Sequence, residues 1–435
     1  MMIRNPFKNA KHELQDVFAV KVGGEPPLTY VKREYVDDEL KYALGSNKSV
    51  ILYGASKQGK TSLWRMCIKE SAVAEGRKFI QVSCQDIQST KQLYESMLKR
   101  AGYDVEVSRS ESYANGGSIR GKGEFKITSI ASVGLEGSED NRTTREFNYR
   151  SLESDFSSIN DVSAALDNLG RIVFILEDFH YIPDEVQKQF SLDLKGIVEN
   201  SSCTFIIVGA WSEGNQITLY NGEMAMRIAS VRADRWTVEE LREVIGKGEN
   251  LLNVEFTEHL KERLTNECRG NISILQEVCS RICRSENIEK TQEKKITIEG
   301  EYLDKIVKKV LSDYDDRYDN FIRIYSAGNK KTQLQIRKRI LNVILNASED
   351  DLIKGISYEN LTKEINEQTS SPINSGNITQ ALDNVVKLQK KKNIKPIVIG
   401  YNKSSRRLTI LDPTFITWLR HQSKERLLEM VAIDV

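Results

Sequence analysis

The sequence is poor in the residues from which metal centres and disulfide frameworks are built. Its 435 residues include only 4 histidines (His12, His180, His259 and His421), which argues against a multi-histidine metal site. The 6 cysteines (Cys67, Cys84, Cys203, Cys268, Cys279 and Cys283) form no Cys-x-x-Cys pair and have no histidine cluster beside them. That excludes a zinc finger and leaves them as buried reduced thiols. Proline is scarce, at 7 residues, and with 39% hydrophobic and 29% charged residues the chain reads as folded, not disordered. No apolar run is long enough to span a bilayer, and residues 1–15 carry Arg4, Lys8, Lys11 and Glu13 without an apolar core. The cytoplasm is therefore the expected location. An excess of either charge is also missing. Lys and Arg (63) nearly cancel Asp and Glu (62), so any attraction to nucleic acid must be local.

What is present follows α/β logic over the first half. The length favours two to four domains. Val50–Tyr53 is a short apolar run, a glycine-rich turn follows at once, and Ser62–Ala74 shows helical spacing. Phe79–Ser83 reads as a strand and Thr90–Ala101 as a helix with Leu93, Met97 and Leu98 on one face. Arg171–Leu176 and Thr204–Val208 are near-continuous β-branched runs, as expected of strands covered on both faces of a parallel sheet. Between them, Asp104–Arg150 is rich in Gly, Ser and alternating apolar residues (Phe125, Ile127, Ile130, Val133, Leu135), which predicts an inserted β-rich segment. After Trp236 the pattern is helical to about Ser285, with Thr237 as N-cap and a helix over Glu239–Gly246, giving a helical lid. Glu286–Glu301 is a Lys- and Glu-rich connection, and Tyr302–Tyr314 resumes helical spacing.

Gly54-Ala-Ser-Lys-Gln-Gly59-Lys60-Thr61 fits G-x-x-x-x-G-K-[ST] directly after a buried strand and at the start of a helix. Such a loop turns successive amides onto phosphate oxygens, and the helix N-terminus adds a favourable dipole. The expected nucleoside-triphosphate contacts are Gly54, Ser56, Lys57, Gln58, Gly59, Lys60, Thr61 and Ser62. Lys60 bridges the β and γ phosphates, and the Thr61 hydroxyl is a magnesium ligand, with Ser62 secondary. Glu177-Asp178 closes the strongest strand, where a second acidic element faces the phosphates. One carboxylate, assigned as Glu177, serves the metal with Thr61; the other, Asp178, is placed to polarise water. The usual order is Asp then Glu. The reversal displaces each carboxylate by about one methylene, roughly 1.5 Å, so slow or conditional hydrolysis is expected. His180 either senses the γ phosphate or packs on Tyr181, and Ser212, with Asn215 behind it, is a candidate for contacting the attacking water.

Taken together these residues resemble AAA+-related P-loop ATPases of the origin-recognition and STAND type, especially prokaryotic ones with a C-terminal winged helix, along most of the chain. Tyr30-Val31-Lys32-Arg33-Glu34 is similar to the box that holds adenine in that group, which implies Val31 and Arg33 at the base and ATP over GTP. Arg227, or Arg235 in the run Val231–Trp236, stands where relatives carry an arginine that acts on a neighbouring subunit's γ phosphate. Arg269-Gly-Asn-Ile-Ser-Ile-Leu-Gln276 is similar to a lid motif of the group. Ile272 replaces its proline and Ser273 stands at the lid-arginine position, leaving Arg269 as substitute. The resemblance further implies oligomers and a setting in prokaryotic replication, mobile elements or antiphage defence. A nucleotide kinase lacks a phosphoacceptor site and leaves the C-terminal third unexplained.

That third reads as three helices (Gln333–Leu345, Tyr358–Asn366 and Asn377–Lys391) and a hairpin (Pro396–Tyr401 with Arg407–Leu411), the order of a winged helix-turn-helix. From Asn384 to Leu411 there is no Asp or Glu. Lys387, Lys390, Lys391, Lys392, Lys403, Arg406 and Arg407, with Lys395, form the best duplex-DNA candidate, and an effector-protein docking surface is the alternative. Leu411–Arg420 resembles the ending of prokaryotic relatives, in which Phe415 and Trp418 pack the last helix onto the wing. The expected organisation is an arm (1–30), a P-loop core (31–225, insertion 104–150), a lid (226–300) and a winged-helix domain (301–435). The expected cofactors are ATP and Mg2+.

Overall fold

The computed structural model describes residues 11–19, 24–70, 76–107, 125–129, 152–153, 159–214, 217–327, 331–369 and 371–432. Five parallel strands form the central sheet: β1 (Ser49–Tyr53), β2 (Lys78–Ser83), β3 (Ile172–Glu177), β4 (Thr204–Gly209) and β5 (Ile228–Arg232), in the order β2-β3-β4-β1-β5. Alternation along the strands explains why their apolar runs are continuous. Ile51, Phe174, Leu176 and Ile207 face one side and pack with Leu93, Met97, Phe190 and Leu194. Val50, Leu52, Val173, Ile175, Ile206 and Val208 face the other and pack with Leu40, Leu63 and Trp64. This is an α/β P-loop fold, with β1 between β4 and β5 and its C-terminal end opening into the glycine-rich turn.

β5 corrects the expected boundary at residues 225 and 226. It pairs with β1 along Ser49↔Ile228 to Tyr53↔Arg232 and belongs to the sheet, so the lid starts after it. The lid helices are Val238–Leu252, Glu258–Cys268 and Ile272–Ser285. Thr237 caps the first in a reciprocal capping box with Glu240, and this helix runs past Gly246, the expected end. It continues because Gly248 is where the arm packs: a Cβ there would lie 2.2 Å from Phe18 Cζ. Leu14, Val17 and Phe18 of the arm are buried in the lid core. The connection Glu286–Glu301 carries a short strand, Ile296–Ile298, parallel to Val254–Phe256. In the insertion, Tyr103–Val107, Phe125–Ser129 and Leu152–Glu153 form an antiparallel sheet; Ile130, Val133 and Leu135 lie outside the described residues.

The C-terminal third contains helices Lys331–Asn346, Tyr358–Glu367, Ser375–Asp383 and Val385–Lys391, and a sheet in which Arg407–Ile410 lies between Ile356–Ser357 and Ile399–Asn402. The single helix expected over Asn377–Lys391 is two helices broken at Asn384, whose backbone leaves the helical region. Gln389 ties the second of these to the hairpin. Fully buried, it donates to the carbonyls of Val385 (2.9 Å) and Ile399 (2.7 Å) and accepts from the amides of Val398 (2.9 Å) and Ile399 (3.3 Å). Phe415 and Trp418 pack on Tyr318 and Phe321 of the helix Asp315–Ser326, in one apolar cluster with Val398, Ile399 and Leu408 of the hairpin. Lid and C-terminal region share one apolar core reaching from Leu14 to Val431, so residue 300 is not a packing boundary.

Replacing Gln389 by Leu strands two buried amides, and each lost partner costs about 1–3 kcal/mol. Gln389→Leu should therefore lower the stability of the C-terminal region by about 2 kcal/mol or more in urea unfolding. An unchanged midpoint would show that Gln389 does not tie helix to hairpin.

Candidate nucleotide site

The turn after β1 folds as a phosphate loop because three residues in it adopt positive φ: Gly54 (129°), Lys57 (58°) and Gly59 (85°). Gly54 is obligatory for a second reason, since a Cβ there would lie 2.8 Å from Asp234 Cγ. Asp234, just beyond β5, accepts from the Ala55 amide at 2.8 Å and from Arg232 Nε at 2.7 Å. The helix Lys60–Glu70 then starts at the loop and directs its N-terminus into a cavity of about 410 Å3, within the range of small-molecule sites.

The cavity brings together Ser56, Lys57, Gln58, Gly59, Lys60, Thr61, Ser62, Glu177, Asp178 and His180 with Val31 and Arg33 from the arm side and Ser273 and Gln276 from the lid. Lys60 Nζ donates to the carbonyls of Gly54 (2.9 Å) and Ala55 (2.5 Å). Desolvation in the cleft draws its ammonium down to about 8, while Asp234, Glu177 and Asp178 pull the other way. Glu177 accepts from Thr61 Oγ1 (3.1 Å) and Trp64 Nε1 (2.6 Å). Burial raises its carboxyl above the ordinary range, and those two hydrogen bonds oppose the rise. Asp178 has φ 60° and accepts from Gln85 Nε2 at 2.9 Å.

His180 packs on Tyr181, one of the two expectations for it, and also lines the cavity. Its ring lies 4.1 Å from that of Tyr181, and it lines the cavity with neither ring nitrogen paired. Burial first, then Lys60, Lys390 and Lys395, holds its pKa down to about 3, so it is neutral.

Thr61 and Glu177 fit a magnesium ion of the kind that keeps water and phosphate oxygens as most of its ligands. One hydroxyl and one carboxylate converge here, and among the described residues no cluster of three or more His, Cys, Asp or Glu forms a closed protein cage. Arg33 is buried, donates to the Ala233 carbonyl at 2.7 Å and stacks on Trp236 at 4.2 Å, fastening the box at residues 30–34 to the exit of β5.

Several expected residues lie elsewhere. Arg227 is outside the cavity, paired with Glu199 at 2.5 Å. Arg269 turns to Glu349 (3.5 Å) and Asp350 (3.8 Å) of the C-terminal region. Ser212 does not line the cavity, and Asn215 lies outside the described residues. Lys390, expected at an open nucleic-acid face, is packed against the core: it donates to the Ile182 carbonyl at 3.1 Å and pairs with Asp184 at 3.5 Å. Lys387 shares Asp184, Lys403 pairs with Asp383 at 2.9 Å, Arg406 stacks on Tyr358, and Arg407 donates to the Gly355 carbonyl. Lys391 and Lys392 are exposed.

The sequence reading missed Asp234, Trp64, Gln85 and the polar role of Gln276. Trp64 was within reach of it: three residues after Thr61 on one helix, it shares Thr61's face. Asp234 had no comparable signal, because only the pairing of β5 with β1 carries it to the loop.

No protein-family model and no curated protein matches the chain. Among solved structures it is similar to a Walker-type ATPase of Pyrococcus abyssi, at 15% identity over 93% of this chain and 99% of that one, with TM-score 0.49. It is also similar to the ORC2 protein of Aeropyrum pernix, solved in ADPNP-ADP complexes (13%, 96% of each chain, TM-score 0.46), and to Cdc6p of Pyrobaculum aerophilum (11%, 95% of this chain and 98% of that one, TM-score 0.43).

Two outcomes test the geometry. Asp234→Ala frees the Ala55 amide and should weaken triphosphate binding about ten-fold in calorimetry; unchanged affinity would remove Asp234 from the loop's support. Phosphate favours charged Lys60, so binding should take up a proton near and above pH 8 and weaken as pH rises through about 8. Affinity flat from pH 7 to 9 would contradict the assignment.

Proposed function

We propose that the chain is a magnesium-dependent ATPase acting as a conformational switch, in which nucleotide state sets the position of the C-terminal region. The observation that carries this reading is the contact of that region with the phosphate loop. The Ser56 amide donates to the Leu411 carbonyl at 3.1 Å, and Lys57 Nζ lies 5.0 Å from the Tyr314 ring centroid. The exit of β3 is held as well, through Lys390 on Ile182 and Asp184 and through Lys395 over the Tyr181 ring at 5.0 Å. Phosphates entering the loop therefore meet one amide and one lysine already engaged with the C-terminal region.

In this reading the loop amides and Lys60 bind the phosphates, Thr61 and Glu177 hold the metal shell, and Asp178 orients a water with the carboxylate oxygen that Gln85 leaves open. Magnesium, when bound, neutralises charge on the phosphates. Arg227, remote from its own cavity, suits action on a neighbouring copy after release from Glu199. A winged helix of this kind would take duplex DNA through Lys391 and Lys392, with the hairpin arginines beside the backbone. Cytoplasmic location and a setting in mobile-element or antiphage biology complete the proposal.

A second reading has its own support. Because Lys387, Lys390 and Lys403 are spent on the protein's own carboxylates, an ATP-binding scaffold that docks an effector protein is the alternative.

ATP turnover and mass in solution, for wild type and Lys60→Ala with and without duplex DNA, separate the two. The switch predicts turnover lost in Lys60→Ala, assembly with ATP, and salt-dependent DNA binding that falls at least ten-fold in Lys391→Glu/Lys392→Glu. Tight ATP binding with no turnover and no DNA response would sink the switch in favour of the scaffold. Asp184→Ala, which removes one of the two partners of Lys390 and leaves the Ile182 carbonyl, should raise basal turnover; unchanged turnover would uncouple that ion pair from the nucleotide.

A further inference from the structure

Where the arm and the lid meet over the cavity, the lining is largely apolar, through Pro27, Val31, Val244 and Ile272. Two polar side chains there are almost fully enclosed, Thr29 at 1% exposure and Gln276 at 6%. Their hydrogen bonds form a relay of fixed direction. Thr29 Oγ1 donates to the Val17 carbonyl at 3.2 Å, and Gln276 Nε2 donates to Thr29 Oγ1 at 2.8 Å. A carbonyl can only accept, so the hydroxyl proton of Thr29 is committed to Val17. The Thr29 oxygen is then an acceptor, and the Gln276 group facing it must be the NH2 end. That fixes the other end of the amide. Gln276 Oε1 is a buried acceptor that no donor among the described residues reaches, and buried polar atoms in folded proteins are rarely left without a partner.

We infer that Gln276 Oε1 accepts a hydrogen bond from the exocyclic 6-amino group of an adenine base lodged between the arm and the lid, making Gln276 the residue that selects a 6-aminopurine. The inference rests on the nucleotide reading of the cavity and deepens it. A 6-oxopurine in the same pose sets its carbonyl oxygen against Oε1, lone pair to lone pair, and the amide cannot turn to relieve the clash without breaking the bond to Thr29. A purine with hydrogen at C6 keeps the apolar contacts and leaves Oε1 unpaired. Gln276 also lies on the helix Ile272–Ser285, and Thr29 lies on the arm. Reading the base thus depends on the same contact that closes lid onto arm.

The test compares dissociation constants of ATP, purine riboside triphosphate and inosine triphosphate, each with magnesium, for the full chain by calorimetry. Wild type should bind ATP about ten-fold more tightly than purine riboside triphosphate, the worth of one hydrogen bond to a buried acceptor, and inosine triphosphate no better than the latter. In Gln276→Leu the ratio of ATP to purine riboside triphosphate should collapse to about one through loss of ATP affinity. Thr29→Val, which frees the amide to present either end to the base, should lower the ratio. Equal binding of ATP and purine riboside triphosphate by wild type, which needs no variant to fold, overturns the inference. So does a ratio unchanged in Gln276→Leu. Lys60→Ala separates the two levels: triphosphates bound equally by wild type and lost in Lys60→Ala leave the nucleotide site standing and remove only Gln276, whereas no triphosphate bound by wild type removes both.

Discussion

Two successive amides of the phosphate loop are held by segments remote in sequence, Ala55 by the Asp234 carboxylate and Ser56 by the Leu411 carbonyl. A phosphate loop has no side-chain core of its own; its shape is a set of backbone angles that only outside partners can fix. Here one partner comes from the sheet edge and the other from the far end of the chain. The first is rigid, since β5 is paired to β1 along its length. The second belongs to a region whose named contacts with the core are hydrogen bonds, ion pairs and lysine–ring contacts, and on the proposed reading it is the one that lets go. Any rearrangement of Ser56 on phosphate binding must either carry Leu411 along or part from it.

The packing beyond that contact determines how far such a movement reaches. Leu411 is followed by Asp412, a fully buried carboxylate that accepts from Arg317, from Tyr318 Oη at 2.8 Å and from the Thr414 amide at 3.3 Å. Asp412 therefore anchors the strand exit to the helix Asp315–Ser326, whose Tyr318 and Phe321 in turn meet Phe415 and Trp418. Because lid and C-terminal region share one close-packed core, a movement of the kind proposed would carry them as one body. The lid also closes over the base end of the cavity, so a displacement begun at Ser56 and one begun at Gln276 act on the same body.

Legibility in the sequence followed the range of the interaction. The strand, loop and helix around Lys60 were readable because apolar runs and glycine positions are local signals, and Thr237 as N-cap was readable for the same reason. β5 was assigned to the lid because its five residues, Ile-Ala-Ser-Val-Arg, carry too little apolar character to announce a strand; pairing with β1 makes them one. The break at Asn384 had neither Gly nor Pro to mark it. The basic cluster was read from composition, which counts charges without their partners. Asp184, some two hundred residues upstream, turns Lys390 from an open cation into part of an interdomain seam. Asp234 and the Gln276–Thr29 relay are similarly products of tertiary contact.

The reversed acidic pair shows how length and environment act together. Glu177 uses its additional methylene to reach both Thr61 and Trp64, so the longer side chain spends its reach on the metal side of the site. Asp178, shorter by the same methylene, is left for the water side, and a left-handed backbone and the Gln85 amide both fix where it points. To act on a water at the γ phosphate it must span the distance a glutamate would cover while Gln85 holds one of its two oxygens. That requirement lowers the population of the competent arrangement, and a base competent for a small fraction of the time gives a correspondingly small rate. On the proposed reading, slow turnover would follow from the pair's order and reach, and a chain that held ATP longer than it hydrolysed it would be suited to timing a conformational state.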